Sequence, residues 1–239
     1  MKLLAIDIGN TTINFGFFEN KKLKKIKIFT EKFKKIPFGD YDDVIIASVV
    51  PKATKKTVRL LKIKPVILDS KNIPIKIKLK NPDRVGSDRL VNAFAAKELY
   101  GVPAVVVDLG TATTFDIVSK NDEYIGGIIA PGVRISAESL YEKTAKLPNI
   151  IPEIPKNIIG KNTKEAILSG IFFGHIGLIK EVVNKVGSRK SEVGSEKLKI
   201  ILTGGYASFF AAHFPDFIVD DDITLKGLKI IFSKIRGII

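Results

Sequence analysis

The stretch from Lys2 to Phe29 reads KLLAIDIGNTTINFGFFENKKLKKIKIF, and the stretch from Pro103 to Ile129 reads PAVVVDLGTATTFDIVSKNDEYIGGII. In the first, an apolar run leads into Asp7, followed by a polar loop of Gly9, Asn10, Thr11 and Thr12. The chain turns apolar again at Ile13 and turns back at Glu19-Asn20. In the second, an apolar run leads into Asp108, then Gly110, Thr111, Ala112, Thr113 and Thr114. Apolar residues resume at Phe115 and the chain turns at Asn121-Asp122. Internal repetition fixes architecture before any local signal does. The repeated unit reads as strand, Asp-x-Gly turn with a threonine-rich loop, then a returning strand.

Ordinary hairpin turns also favour Asp, Gly and Thr. Both aspartates, however, end apolar runs of the kind that become buried strands. A carboxylate there is costly unless it serves a cation or a donor. Glycine permits a tight turn and lets backbone N–H groups approach a phosphate, and threonine and asparagine add neutral donors. Aspartate is a hard oxygen ligand that can hold a cation, often through water, against the same phosphates. Two such loops facing each other would clamp a triphosphate. A third element, LKIILT at 198–203, runs into Gly204-Gly205-Tyr206-Ala207 and a helical stretch over 208–213. Strand, glycine pair and helix start form an anion or nucleotide site, here the candidate nucleoside contact.

The chain has 239 residues, 45% hydrophobic and 27% charged, which suits one large domain or two modest ones. It has no cysteine, which excludes a disulfide scaffold, a cysteine zinc site, an iron–sulfur cluster and a thiol nucleophile. Asp7 interrupts the first apolar run before a signal-peptide core could form. No stretch approaches the roughly 18 uninterrupted apolar residues of a membrane helix, so a soluble, cytoplasmic protein is expected.

Lys and Arg number 39 against 25 Asp and Glu, a net charge of +14. A nucleic-acid module clusters its basic residues or interleaves them with aromatics. Here lysine is spread through 21–35, 52–64, 71–80 and 156–164, often alternating with isoleucine. IKIKLK at 75–80 alternates strictly and predicts a strand with one wet face. A solvated lysine coat is the favoured reading, with no nucleic-acid partner and at most some steering of an anionic ligand. Abundant lysine and isoleucine with one methionine also fit a heat-stable protein.

Ser87-Asp88-Arg89 precedes a helical pattern through Leu90, Val91, Phe94, Ala95 and Leu99. Ser87 is the expected N-cap and Asp88 an acid favoured by the helix dipole. Arg89 opposes that dipole, and its bidentate fork suits a carboxylate ligand. Other chemistries lack their residues. Gly160-Lys161-Asn162 is not a phosphate-binding Gly-x4-Gly-Lys-Ser/Thr loop, and no HExxH occurs. His175, within SGIFFGHIGLI, reads as a packed structural residue. Ile167, Ile171, Phe172, Ile176 and Ile179 form its apolar face, a core or dimer contact. Glu138 and Glu142 read as a solvated helix face.

Asp7-x-Gly9, Asp108-x-Gly110-Thr111 and Gly204-Gly205 together resemble the acetate and sugar kinase, actin and heat-shock chaperone superfamily. That resemblance implies an α/β fold of two ribonuclease-H-like halves, a duplicated actin-like ATPase with a nucleotide cleft between them, here 1–100 and 101–239. Within it, the chain resembles the type III pantothenate kinases. The resemblance is carried by Asp7 to Thr11, Ser48-Val49-Val50-Pro51, Asn81-Pro82, Gly86-Ser87-Asp88-Arg89, Asp108 to Ala112, Gly126-Gly127 with Pro131-Gly132, and Gly160 to Thr163. It implies ATP contacts at Ile6, Asp7, Ile8, Gly9, Asn10, Thr11, Thr12, Ile13 and Thr111, beside the glycine pair Gly204 and Gly205. It implies pantothenate contacts at Gly86, Ser87, Asp88, Arg89 and Thr163, with Asp88 as proton acceptor. It implies a monovalent cation, K+ or NH4+, at Asp108, and ATP-bound Mg2+ at Asp7 through water. ATP and pantothenate as substrates and a homodimer follow from it.

The family usually carries a tyrosine seven residues before the Gly-x-Asp-Arg glycine, where this chain has Leu79, so Tyr41, Tyr100 or Tyr141 is the candidate substitute. Two other readings stand beside this one. The first is a kinase of the same fold for another small hydroxyl acceptor. The second is a non-catalytic regulatory or nucleic-acid-binding protein.

Overall fold

A computed structural model describes residues 2–20 and 22–238; Lys21, at the head of the basic run 21–35, lies outside them. The chain forms two compact units. The first takes the residues up to Gly101, then Asp122–Ile125, then the segment from Asp222 onward; the second takes Val102–Asn121 and Gly126–Asp221.

The first unit holds β1 (Lys2–Ile8), β2 (Thr12–Glu19), β3 (Lys22–Phe29), β4 (Asp43–Ser48), α1 (Pro51–Leu60), β5 (Val66–Ile67), β6 (Lys76–Ile77) and α2 (Ser87–Tyr100). Its sheet runs β3-β2-β1-β4-β5, with β1 antiparallel to β2 and parallel to β4. Alternation along the strands separates two faces. Leu4, Ile6 and Ile8 of β1, Ile13 and Phe15 of β2, and Val44 and Ile46 of β4 form one core with Phe33, against which Ala53 and Val58 of α1 pack. On the opposite face Gly16 of β2 lies against Leu225 of a C-terminal helix, α6 (Ile223–Ile235). Leu228, Ile231 and Phe232 of α6 are buried, and Thr224 Oγ1 donates to Asn92 Oδ1 of α2 at 2.7 Å.

The second unit holds β7 (Ala104–Leu109), β8 (Ala112–Val118), β9 (Glu123–Pro131, whose first residues belong to the first unit), α3 (Val133–Glu142), α4 (Thr163–Ser188), β10 (Lys199–Thr203), α5 (Ala207–Phe210) and β11 (Ile218–Val219). Its strands run β11-β10-β7-β8-β9, with β7 antiparallel to β8 and parallel to β10. The repeat is therefore topological as well as sequential. Each unit has a central strand ending in the Asp-x-Gly turn, hydrogen-bonded to its own hairpin partner on one side and to a parallel strand on the other. The turns after β2 and β8 place Asn20 (φ 56°) and Asp122 (φ 62°) in the left-handed region, which Asn and Asp tolerate.

Two expectations need correction. The alternating IKIKLK segment yields only Lys76–Ile77 as paired strand, in register with Glu123 and Tyr124. Pro74 and Pro82 bracket it and cannot donate to a ladder. A single cut into 1–100 and 101–239 does not follow the packing, because α6 covers the first unit's sheet. Helix α4 holds no uninterrupted apolar run of membrane-spanning length, yet by length and composition it is long and apolar enough to cross a membrane. Half of its most apolar window is buried, and Ile167, Leu168, Ile171, Phe172, Ile176 and Ile179 supply second-unit core.

Phe15 is fully buried, with its ring 5.6 Å from that of Phe33. Phe15→Ala should cost about 3–5 kcal/mol, read as a lower denaturation midpoint with the slope unchanged.

Candidate active site

In the first unit Asp7 is the penultimate residue of β1. The ladder places it opposite Asn14 on β2, and Asn14 opposite Lys27 on β3. Asn14 Nδ2 donates to Asp7 Oδ2 at 2.9 Å. The loop after β1 is closed by Gly9 N–H donating to Thr12 O at 2.9 Å. Two of its carbonyls are held by one residue just past β3. Thr30 N–H donates to Thr11 O at 2.9 Å, and Thr30 Oγ1 donates to Gly9 O at 2.8 Å. The loop backbone is thus tied back at both Gly9 and Thr11, and Asn10 at its tip is exposed.

Asp88 lies in the first turn of α2, where its Oδ1 accepts the Arg89 N–H at 2.8 Å. The helix cap differs from expectation. Gly86 occupies the N-cap position without a side-chain bond, and Ser87 is buried and turned to β4. Ser87 Oγ accepts from Ser48 N–H at 3.0 Å and donates to Ser48 O at 3.2 Å. Ser87 therefore fixes the start of α2 against the end of the strand beside β1, and that contact positions Asp88.

Burial pushes the Asp7 carboxyl from its ordinary 3.8 up to about 7; the Asn14 bond opposes this, the Asp88 charge adds to it, and Lys27 pulls the other way. Burial also pushes Asp88 up, against the Arg89 N–H bond and the Arg89 charge. The Asp88 and Lys27 charges both act on Asp7, so β1, β2, β3 and α2 bring Asp7, Asn14, Lys27 and Asp88 to one region of the first unit. Ile6, Ile8 and Ile13 have fully buried side chains in the α1 core, which leaves only their backbone for ligand contact.

In the second unit the corresponding turn is one residue shorter. Gly110 N–H donates to Ala112 O at 3.1 Å, and Leu109 pairs with Thr113. Asp108 pairs with Thr203, the last residue of β10, so the Gly204-Gly205 turn lies beside it. Tyr206 N–H donates to Leu109 O at 3.0 Å. Gly204 has φ +93°, and a Cβ there would strike the Asp108 carboxylate and the Leu109 backbone. A Cβ at Gly132, which precedes α3, would strike the Gly110 and Thr111 carbonyls. Both glycines are required by close approach to one loop. Thr111 and Gly205 are exposed. Thr163 is exposed at the first position of α4, where Asn162 Oδ1 accepts Glu165 N–H at 3.0 Å as the cap.

His175 is buried, with Nδ1 2.8 Å from Ile171 O, Nε2 3.3 Å from Pro131 O, and its ring stacked on Phe210. Glu138 meets Arg134 on the solvated face of α3 at 2.6 Å. Of the tyrosines considered for the Leu79 position, Tyr41 accepts the Lys62 N–H at 3.2 Å and packs on the α1 core, while Tyr141 is exposed on α3. Asn14, Lys27, Thr30 and Ser48 were not singled out as site residues from sequence. A two-residue period from Asp7 across a hairpin of known loop length would have found Asn14.

The fold matches solved structures at low identity. A Campylobacter jejuni protein described as a Baf family transcriptional activator aligns over 98% of this chain and 99% of its own, with TM-score 0.65 and 22% identity. The activator of the 2-hydroxyisocaproyl-CoA dehydratase from Clostridium difficile, solved with ADPNP bound, aligns over 99% and 98%, with TM-score 0.50 and 9% identity. These define an actin-like ATPase and sugar-kinase fold built on the repeated α/β unit. The type III pantothenate kinase model matches residues 3–185. A type III pantothenate kinase of Dehalococcoides mccartyi is 40% identical over 97% of this chain and 95% of its own. The chain belongs to the type III pantothenate kinase family.

Because the folded-state value of Asp7 lies above its ordinary one, ionising it costs stability as pH climbs from about 4 towards 7. Without nucleotide or Mg2+, Asp7→Asn should therefore be more stable than the parent at pH 8, with the gap shrinking toward pH 4. Urea denaturation at both pH values measures it, and an unchanged gap refutes the assignment.

Proposed function

We propose that this chain catalyses the ATP-dependent phosphorylation of pantothenate to 4'-phosphopantothenate, the first step of coenzyme A biosynthesis. The observation that carries the site assignment is the convergence of the rigid Gly9–Thr12 loop, Asp7 and Asp88 within the first unit, two carboxylates close enough to raise Asp7 by repulsion. Family membership supplies the reaction, ATP as donor and a divalent metal with it.

In this reading the Gly9–Thr12 loop and Thr111 bind the phosphates, with Ile6, Ile8 and Ile13 contributing backbone only. Gly204 and Gly205 border the nucleoside. Among the described residues no group of three or more His, Cys, Asp or Glu could by itself hold a metal ion. That fits Mg2+ arriving on ATP with most of its shell from water and phosphate, Asp7 meeting it through water. Asp108, boxed between Gly110 and Gly204, is the candidate ligand for K+ or NH4+, which would neutralise phosphate charge.

Asp88 accepts the hydrogen bond of the acceptor hydroxyl. Its raised pKa makes it a better base than a solvated aspartate. It need not take the proton early, because phosphoryl transfer has a loose transition state and depends chiefly on alignment and charge neutralisation. Arg89 pairs with the pantothenate carboxylate, Gly86 and Ser87 shape the segment, and Thr163 is a further pantothenate contact. Leu79 gives an apolar contact where the family usually offers a tyrosine.

A homodimer and a cytoplasmic setting belong to the same reading. Supporting the dimer, Ile151, Ile154, Ile158 and Ile159 are 55–86% exposed along one segment of the second unit. Sedimentation should give twice the monomer mass, and Ile151→Asp with Ile159→Asp should shift it toward monomer.

The deciding assay follows ADP from purified protein with ATP, Mg2+ and K+, with and without pantothenate. Asp88→Asn should keep ATP binding and lose about 10²-fold or more in turnover; unchanged turnover would remove Asp88 as the base. ADP formed only with another hydroxyl acceptor would reassign the substrate.

A further inference from the structure

The Gly9–Thr12 loop carries no cationic side chain. A triphosphate seated on the loop is multiply charged, and a fixed positive group close by would add to the neutralisation that metal ions supply. The sheet register supplies a candidate. Asp7, Asn14 and Lys27 are direct cross-strand partners in one row over β1, β2 and β3, and residues so paired share a face. With neighbouring strands about 4.8 Å apart, the Lys27 Cα lies on the order of 10 Å from that of Asp7. A four-carbon ammonium stem bridges much of that span. Lys27 is in fact close enough for its charge to act on Asp7.

The backbone carrying Lys27 is also fixed relative to the loop. Two rungs further on, Phe29 pairs with Thr12, and Thr30 then holds the loop through Thr11 O and Gly9 O. Other lysines of β3 have other uses. Lys25, two rungs away on the same face, is bonded to Asp222 at 2.6 Å. Lys24 lies on the opposite face, paired with Phe17. Lys27 is exposed and makes no ion pair within 4 Å among the described residues. A lysine on an edge strand also guards against aggregation, but that role does not require this row or this distance from Asp7.

We propose that Lys27 is a further ATP-binding residue, its ammonium contacting the outer phosphates of the nucleotide, while Asn14 between it and Asp7 keeps the aspartate oriented. This rests on the reading of the Gly9–Thr12 loop as a phosphate loop, and not on the choice of acceptor.

The test uses the full chain with Lys27→Gln, Lys27→Arg and, as control, Lys24→Gln, each checked by circular dichroism for an unchanged melt. Titration calorimetry with Mg2+ and no pantothenate measures ATP and AMP binding; steady-state assays separate KM for ATP from kcat. Lys27→Gln should weaken ATP about five- to tenfold and leave AMP unchanged. KM for ATP should rise by the same factor with kcat within about twofold. Lys27→Arg should recover most of the loss, and Lys24→Gln should match the parent. Equal ATP affinity in Lys27→Gln and Lys24→Gln overturns the proposal, as does an equal loss for AMP and ATP. If the parent binds ATP with this Lys27 dependence but phosphorylates a different hydroxyl acceptor, the inference stands and the pantothenate assignment falls. If the parent binds no ATP, both fall.

Discussion

Asp7 stands near the end of a central strand, where burial works against its charge, and the neighbouring chain is arranged around that conflict. Asn14 donates to it from the next strand, and Lys27 acts on it from the strand beyond. Asp88, held at the start of α2 by the Ser87–Ser48 contacts, pushes in the opposite direction. Burial raises both carboxyls above the ordinary carboxylate range. A nearby cation or hydrogen-bond donor favours the ionised form and opposes that effect.

Rigidity is the second requirement, and the two units meet it differently. The first loop is fastened from outside by Thr30, which takes two of its carbonyls. The second is fastened by close packing, with Gly132 and Gly204 letting backbone approach backbone where any side chain would intrude. Phosphoryl transfer relies on preorganised positioning more than on strong acids or bases. Loops whose carbonyls are already tied back lose little freedom on meeting a ligand.

The architecture was legible because its signal is repeated. Apolar run, Asp-x-Gly, polar loop and returning strand occur twice and give the same strand neighbourhood in both units. Less was legible where two physical rules competed. Ser87 has the composition of an N-cap, but its hydroxyl bonds to β4 and Gly86 takes the cap position. The alternating 75–80 segment has a strand's pattern, yet flanking prolines leave two paired residues. Loop length was the other obstacle. One extra residue in the first turn makes Asn14 the partner of Asp7, where Thr114 is the partner of Asp108. Register of that kind, which also places Lys27 and Thr30, cannot be read without knowing which residues turn. The apolar face of α6 would suit either sheet, so its membership came only from the packing.

That membership bears on how the molecule is made. The first unit is interrupted by the second and closed by α6, whose Leu225 packs over Gly16 and whose Leu228, Ile231 and Phe232 are buried. During synthesis the second unit has all its residues by Asp221, while the earlier sheet still waits with one apolar face uncovered. The half of the protein begun first is therefore finished last. A chain released a few turns early would carry both Asp-x-Gly loops and Asp88, with the sheet beneath Asp7 left open to water or to another chain.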